Sequence, residues 1–408
     1  MRLLSNLLEK FIKKGSLRFY DAGGQLHVFG GKEPGPAATV RLHDAALEKK
    51  LFTNPELYAA EAYMDGKLTF EEGTAVHDFI LLFSINRQAL YTYGTQKVMR
   101  RVWRALRRWH QANPVGTAAK NARHHYDVSS ELYELFLDKQ MQYSCAYFRD
   151  PENDTLDQAQ QNKLIHATTK LQLKPGMTVA EIGSGWGGFA IHIARATGAH
   201  VTAINVSPEQ LKVSRERAKE AGVADLIDFR EVDYRNLRGK FDRVVSVGMM
   251  EHVGIGHFDE YFWTVRDLLK DDGYAFIHCI GRMSVPGTTG PFIRKYIFPG
   301  AYVPSLSEVF AATERNGLWV ADNEVLRLHY YYTCQHWRKR FAANREAAKR
   351  IYDERFCRMW EWYLSAVELE FLHGSHMVFQ LLLAKTRDAV PITRDFMIDA
   401  ERAAHAKG

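Results

Sequence analysis

The chain has 408 residues, of which 46% are hydrophobic and 25% charged, with a formal net charge of +6. That length and mix describe a soluble globular protein of two or three domains, able to bury a large core without staples. The positive excess matters only where it is clustered, and four scattered cysteines without a CxxC pair exclude a disulfide framework and a zinc knuckle.

The opening MRLLSNLLEKFIKKG is too broken by charge for a secretory signal. No apolar run approaches the roughly 20 residues of a membrane span, so a cytoplasmic protein is expected. In residues 3–14 the spacing of Leu4, Leu7, Leu8, Phe11 and Ile12 predicts an amphipathic helix, with Lys10, Lys13 and Lys14 opposite. LRFYDAGGQLHVFGG alternates like a strand pair around a Gly-Gly turn. A loop carrying Pro34 and Pro36 is expected next, then a strand leading into a helix over VRLHDAALEKKLFTN and a further helical stretch to about residue 90. Residues 1–95 read as a small α+β domain.

KVMRRVWRALRRWHQ, residues 97–111, has six basic residues and no acidic one, interleaved with Val98, Val102, Trp103, Leu106 and Trp109. A solvated linker helix over 96–120 fits this pattern. So does a basic amphipathic helix meeting an anionic membrane surface with tryptophans at the interface. Nucleic acid is not expected, because no binding motif accompanies the charge.

From about residue 160, strands and helices alternate: MTVAEIG, a helix to 200, HVTAINV, a helix to 221, IDFREVD, FDRVVSV, a helix to 270, and YAFIHCIG. This predicts a doubly wound, Rossmann-like α/β domain with a parallel sheet, occupying 121–408.

The first strand-to-helix turn, VAEIGSGWGGFA, packs Gly183, Gly185, Gly187 and Gly188 together, with Ser184 among them. Such a turn lets backbone approach a ligand at the sheet's carboxyl edge. Glu181 just before the glycines, the G-S-G-x-G-G spacing and the lack of a Walker lysine favour S-adenosylmethionine over a nicotinamide or a nucleoside triphosphate. The second strand ends without a carboxylate, leaving Asn205 and Gln210 as polar candidates. Asp233, followed by Tyr234, is the candidate partner for an adenine edge, with a strand-end cap as the alternative. Glu251, His252 and His257 do not have HExxH spacing, so no metal is expected.

Taken in order, HHYDVSSELYELFLDKQMQYSCAYF, EIGSGWGG, SPEQ, VGMMEHVG and HCIG resemble the cyclopropane-fatty-acyl-phospholipid synthases. AAEAYMDGKL extends the resemblance into the small domain. It implies a S-adenosylmethionine-dependent methyltransferase acting on the cis double bond of unsaturated phospholipid in a membrane. Methylation of an alkene leaves a carbocation, and a proton must then leave for the ring to close. The resemblance implies that bound bicarbonate takes it, because a basic side chain there would be trapped by alkylation. It assigns the bicarbonate cradle to Cys145, Glu251, His278, Ile280 and Tyr330, and adds Tyr143 and Ser144 to the cofactor contacts. Tyr330 is preferred to Tyr331 and Tyr332 because it stands three before Thr333 and seven before Trp337.

The resemblance further implies peripheral association with the inner face of the membrane, a homodimer, and a lipid-positioning role for the small domain. One departure is Val367, where many members of the family carry a cysteine. Direct methyl transfer needs no covalent enzyme intermediate, so that cysteine is expected to be dispensable. Phe292, Ile297, Phe298 and Tyr302 are candidates for an acyl channel between strands of the α/β domain, with Arg294 and Lys295 facing lipid phosphate. The competing readings are a C-methyltransferase that leaves a methyl branch or an alkene, and a S-adenosylmethionine-binding protein without activity.

Overall fold

The structure is a computed structural model that describes residues 2–92 and 129–406. The basic segment 97–111, and with it the expected linker 96–120, lies outside the described residues. The described residues of 1–107, 288–299 and 334–375 form one compact unit, and those of 108–287, 300–333 and 376–408 form another.

In the first unit α1 (Arg2–Phe11) is followed by β1 (Lys14–Tyr20), β2 (Leu26–Gly30), β3 (Glu33–Leu42), α2 (Leu47–Thr53), α3 (Pro55–Met64), β4 (Leu68–Glu71) and α4 (Val76–Thr92). The strands form one sheet in the order β2-β1-β3-β4. Leu4, Leu7, Leu8, Phe11 and Ile12 are all buried, as their helical spacing predicts. The strand pair around the Gly-Gly turn is present as antiparallel β1 and β2. Pro34 and Pro36 do not form the expected loop. They lie in the first half of β3, where the register against β1 shifts between Lys14 and Ser16. A proline cannot donate to a ladder, and an irregularity in the pairing is where a strand tolerates one.

Segments 288–299 and 334–375 were expected in the second domain but group with this unit. The reason is aromatic packing: Trp362, on the helix Glu354–His373, meets Tyr63 and Phe79 with ring centroids 6.0 Å apart in each case. Phe292 and Ile297 are buried in the same unit. Lys295 is paired with Glu61 at 2.6 Å.

The second unit holds a seven-stranded sheet, ordered β10-β11-β9-β8-β5-β6-β7. Its strands are β5 (Thr178–Ile182), β6 (His200–Asn205), β7 (Ile227–Glu231), β8 (Phe241–Val247), β9 (Leu269–Arg282), β10 (Trp319–Leu326) and β11 (His376–Ala384). The run from β7 to β9 is parallel, as the alternation of strands and helices predicts. The sheet is not wholly parallel, however: β11 runs antiparallel to both β9 and β10. The helices that bear on the site are α5 (Ser130–Glu134), α6 (Leu156–Thr169), α7 (Gly188–Thr197), α8 (Pro208–Glu220), α9 (Phe258–Leu268), α10 (Leu306–Arg315) and α11 (His329–Ala343).

Alternate residues of the strands supply two apolar layers. Ala180, Val244 and Ile277 pack with Tyr261 and Phe262 of α9, and Tyr302 belongs to this layer rather than to an open channel. Val179, Val245 and Phe276 pack on the other face with Leu164 of α6 and Ile193 of α7. Strand order reverses at β5, whose neighbours are β6 and β8. Open α/β sheets bind ligands outside the carboxyl ends of the strands at such a reversal.

Candidate active site

The chain leaves β5 through Glu181 and Ile182 and turns over Gly183–Gly187 into α7. The N–H groups of Gly183 and Ser184 both donate to the Ile204 carbonyl at 3.0 Å, which pins the turn to β6. Gly187 caps α7 with φ of 77°, a left-handed conformation that favours glycine. A Cβ on Gly188 would stand 2.1 Å from Gln142 Nε2 and 2.7 Å from the Gln140 carbonyl. That absence of a side chain lets the segment QMQYSCAYF close over the turn.

A cavity opens where these pieces meet, and nine of the ten expected cofactor residues line it. Tyr143 and Ser144 come from the closing segment, and Gly183, Ser184 and Gly185 from the turn. Asn205, Gln210, Asp233 and Tyr234 complete the set, while Gly187 lies behind the wall against Ser214. Asn205 braces this wall: its Nδ2 donates to Gln210 Oε1 at 2.8 Å and to the Gly185 carbonyl at 3.1 Å. Asp233 does act as a cap, accepting from the Arg235 N–H at 3.0 Å, and it also pairs with the Arg235 guanidinium. Its carboxyl stays below the usual carboxylate range because those hydrogen bonds outweigh burial.

The five residues expected to form the bicarbonate cradle fall in two groups, one joined to the end of β9 and the other to the start of α11. Glu251 is on a single 3-10 turn, Met250–His252, just past β8. Its Oε1 accepts from the Ile280 N–H at 2.7 Å, which joins it to the end of β9. Its Oε2 is buried with no hydrogen-bond partner among the described residues. Burial lifts this carboxyl to about 7. His278, two residues earlier on β9, is also buried and held neutral by desolvation.

Cys145 and Tyr330 form the second group. The Thr333 hydroxyl of α11 accepts from the Ala146 N–H at 3.0 Å, and His329 Nδ1 accepts from the Phe148 N–H at 3.0 Å. Tyr147 stacks on His329 with centroids 4.7 Å apart. These contacts tie the start of α11, and so Tyr330, to the segment bearing Cys145. Cys145 is fully buried, and burial drives its thiol far above its ordinary value. The thiol donates to the Ala146 carbonyl at 3.3 Å. Burial thus opposes a thiolate, and the thiol hydrogen is engaged by the Ala146 carbonyl.

Sequence reasoning missed Lys163. It is 1% exposed, and its ammonium donates to Gln142 Oε1 and, at 3.1 Å, to Ser144 Oγ. It clamps the segment that covers the cavity. Its charge also acts on Cys145, Glu181 and His278. Burial lowers Lys163 to about 8 and raises Glu181 to about 8. The signal was legible in α6: Leu156, Ala159, Gln160, Lys163, Leu164 and Ala167 share one helical face, so a lysine stands where apolar residues are expected. Trp186, the variable residue of G-S-G-x-G-G, also lines the cavity and was not singled out.

The family model for mycolic acid cyclopropane synthetase matches residues 115–381. The chain belongs to this family. A probable fatty acid methyltransferase of Pseudomonas putida is 37% identical over 86% of this chain and 88% of its own length. The cyclopropane-fatty-acyl-phospholipid synthase of Escherichia coli strain K12 is 34% identical, over 85% of this chain and 88% of its own. Among solved structures, the mycolic acid cyclopropane synthase CmaA1 complexed with SAH and CTAB superposes with a TM-score of 0.61 at 28% identity, covering 65% of this chain and 97% of that one.

As a member of the mycolic acid cyclopropane synthetase family, the chain is a S-adenosylmethionine-dependent methyltransferase. The cavity fits that cofactor. Glu181 Oε2 and Ser184 Oγ are buried without a hydrogen-bond partner among the described residues. A carboxyl lifted to about 8 by burial is ready to ionise when an ammonium arrives.

Proposed function

We propose that the protein transfers a methylene unit from S-adenosylmethionine to the cis double bond of unsaturated phospholipid acyl chains, closing a cyclopropane ring. S-adenosylmethionine supplies an electrophilic methyl group on a sulfonium. The acceptor alkene would give its π pair to that methyl as the C–S pair leaves on sulfur, S-adenosylhomocysteine departs as the neutral thioether, and loss of one proton from the new methyl of the carbocation to bicarbonate lets the C–H pair close the ring. The observation that carries the reading is Glu251: a buried carboxyl with one oxygen fixed by Ile280, one oxygen without a hydrogen-bond partner among the described residues, and a proton affinity near neutrality. A group of that affinity suits proton transfer at neutral pH. The name of the Escherichia coli relative, a cyclopropane-fatty-acyl-phospholipid synthase matched along most of both chains, supports the same reading.

Bicarbonate would supply a small base that alkylation cannot trap. The buried Glu251 Oε2, without a hydrogen-bond partner among the described residues, supports this reading: it would accept from the bicarbonate hydroxyl, and by the family resemblance His278, Tyr330 and the backbone near Cys145 would donate to its oxygens. Ile280 holds Glu251 through its N–H rather than offering that group to the anion. Association with an anionic membrane surface at the inner face, and a homodimer, complete the proposal. No helix among the described residues is long and apolar enough to cross a membrane.

The test is incubation of purified protein with S-adenosylmethionine and vesicles of cis-unsaturated phospholipid, followed by proton NMR of the released fatty acids. Upfield cyclopropane protons support the proposal. A methyl-branched product would transfer the chain to the second reading, which the name of the Pseudomonas putida relative favours. Cofactor binding without any product would leave a silent protein.

A further inference from the structure

A chain of buried polar groups runs away from His278 on the α6 face of the sheet. Gln380 lies opposite His278 across the β9–β11 ladder, and its amide nitrogen is 3.1 Å from His278 Nδ1. Its Oε1 is 2.5 Å from the Lys170 ammonium. Lys170 pairs with Glu324, and Glu324 accepts from His166 Nε2 at 2.9 Å. His166 Nδ1 is 3.0 Å from Glu401. His278, Gln380 and Lys170 are each no more than 2% exposed.

The direction of every bond in this chain follows from chemistry. An ammonium has donors only, so the atom of Gln380 facing Lys170 must be the oxygen. That sets the amide orientation, which is otherwise ambiguous. The Gln380 NH2 then faces His278 Nδ1, and a donor facing a ring nitrogen requires that nitrogen to be a lone pair. A neutral imidazole with an unprotonated Nδ1 carries its hydrogen on Nε2.

We infer that Gln380 and Lys170 are positioning residues that hold His278 in its neutral Nε2–H tautomer, so that the ring offers one N–H donor to the reacting site. Lys170 in turn is anchored by Glu324, which His166 steadies. The ionisable groups acting on His278 are Lys163, Lys170, His166 and Glu324, and three of these four oppose an imidazolium. With Nδ1 engaged by Gln380, the ring serves as a donor to the bicarbonate of the proposed function rather than as the base. This last step rests on the proposed function; the tautomer itself does not.

The experiment uses full-length protein labelled with 15N in its histidines and the two-bond 1H–15N correlation that separates the tautomers. His278→Asn assigns the ring. In the wild type, Nδ1 is expected unprotonated and Nε2 protonated from about pH 5.5 to about 8.5. Gln380→Glu replaces the donor by an acceptor and should put a proton on Nδ1, with kcat falling roughly 10- to 100-fold and the KM for S-adenosylmethionine unchanged. Gln380→Met, a similar volume without a donor, should give mixed tautomers and covers the case in which the glutamate does not fold. A wild-type Nδ1–H ring, or a tautomer unchanged in the folded variants, overturns the inference. Depleting bicarbonate by degassing is the separate check on the proposed function: activity insensitive to it would sink the bicarbonate cradle while leaving the tautomer result standing.

Discussion

Replacing Glu251 by Gln should stabilise the protein while disabling it. The substitution keeps the shape and keeps an oxygen for the Ile280 N–H, which donates to Glu251 Oε1 at 2.7 Å. Burial raises the carboxyl from 4.5 to about 7, and no charged partner sits on Oε2 among the described residues. At about 1.4 kcal/mol per pH unit, keeping it ionised in the fold costs about 3 kcal/mol. The folded state binds the extra proton between these two values, so stability falls as pH rises through 4.5 to about 7. Glu251→Gln should therefore gain about 3 kcal/mol at about pH 8 and less than about 1 kcal/mol at about pH 5. Urea unfolding followed by tryptophan fluorescence at the two pH values measures this. Activity should fall by roughly 10²- to 10⁴-fold. Equal gains at both pH values, or a loss at pH 8, would refute the picture of an ionisable group held without a counter-charge.

Three further outcomes can be checked. Gly188→Ala would force a Cβ within 2.1 Å of Gln142 Nε2, costing about 1–3 kcal/mol and weakening S-adenosylmethionine binding in calorimetric titration. Lys163→Met removes the clamp on Gln142 and Ser144 and the cation opposite Glu181; cofactor affinity should drop roughly tenfold or more, and unchanged affinity would show that the clamp is idle. Val367→Cys, half-buried on the helix Glu354–His373, should leave kcat within about twofold, because nothing in the proposed chemistry needs a thiol there.

The cofactor half of the site was the more legible half. A strand ending in Glu181, four glycines and a helix are contiguous, so their geometry is local and their spacing reports it. Asn205 ends β6, and Asp233 and Tyr234 lie just past the end of β7, so the sheet brings all three to one edge. The resemblance named Glu251, His278 and Ile280, and the fold joins Glu251 to Ile280 by a hydrogen bond.

Residues 178–282 thus carry their own strand–helix alternation, because side-chain period and turn chemistry are local properties of a chain. Contacts across long separations decided the rest. β11 enters between β9 and β10 and reverses direction, a placement no local pattern encodes. Trp362 draws segment 334–375 to Tyr63 and Phe79 of the N-terminal elements. Lys163 and Gln380 acquire their meaning only from partners reached by folding, Gln142 in one case and His278 with Lys170 in the other. A buried polar side chain must find a partner to offset its desolvation. Which partner it finds depends on what the tertiary fold brings within about 3 Å.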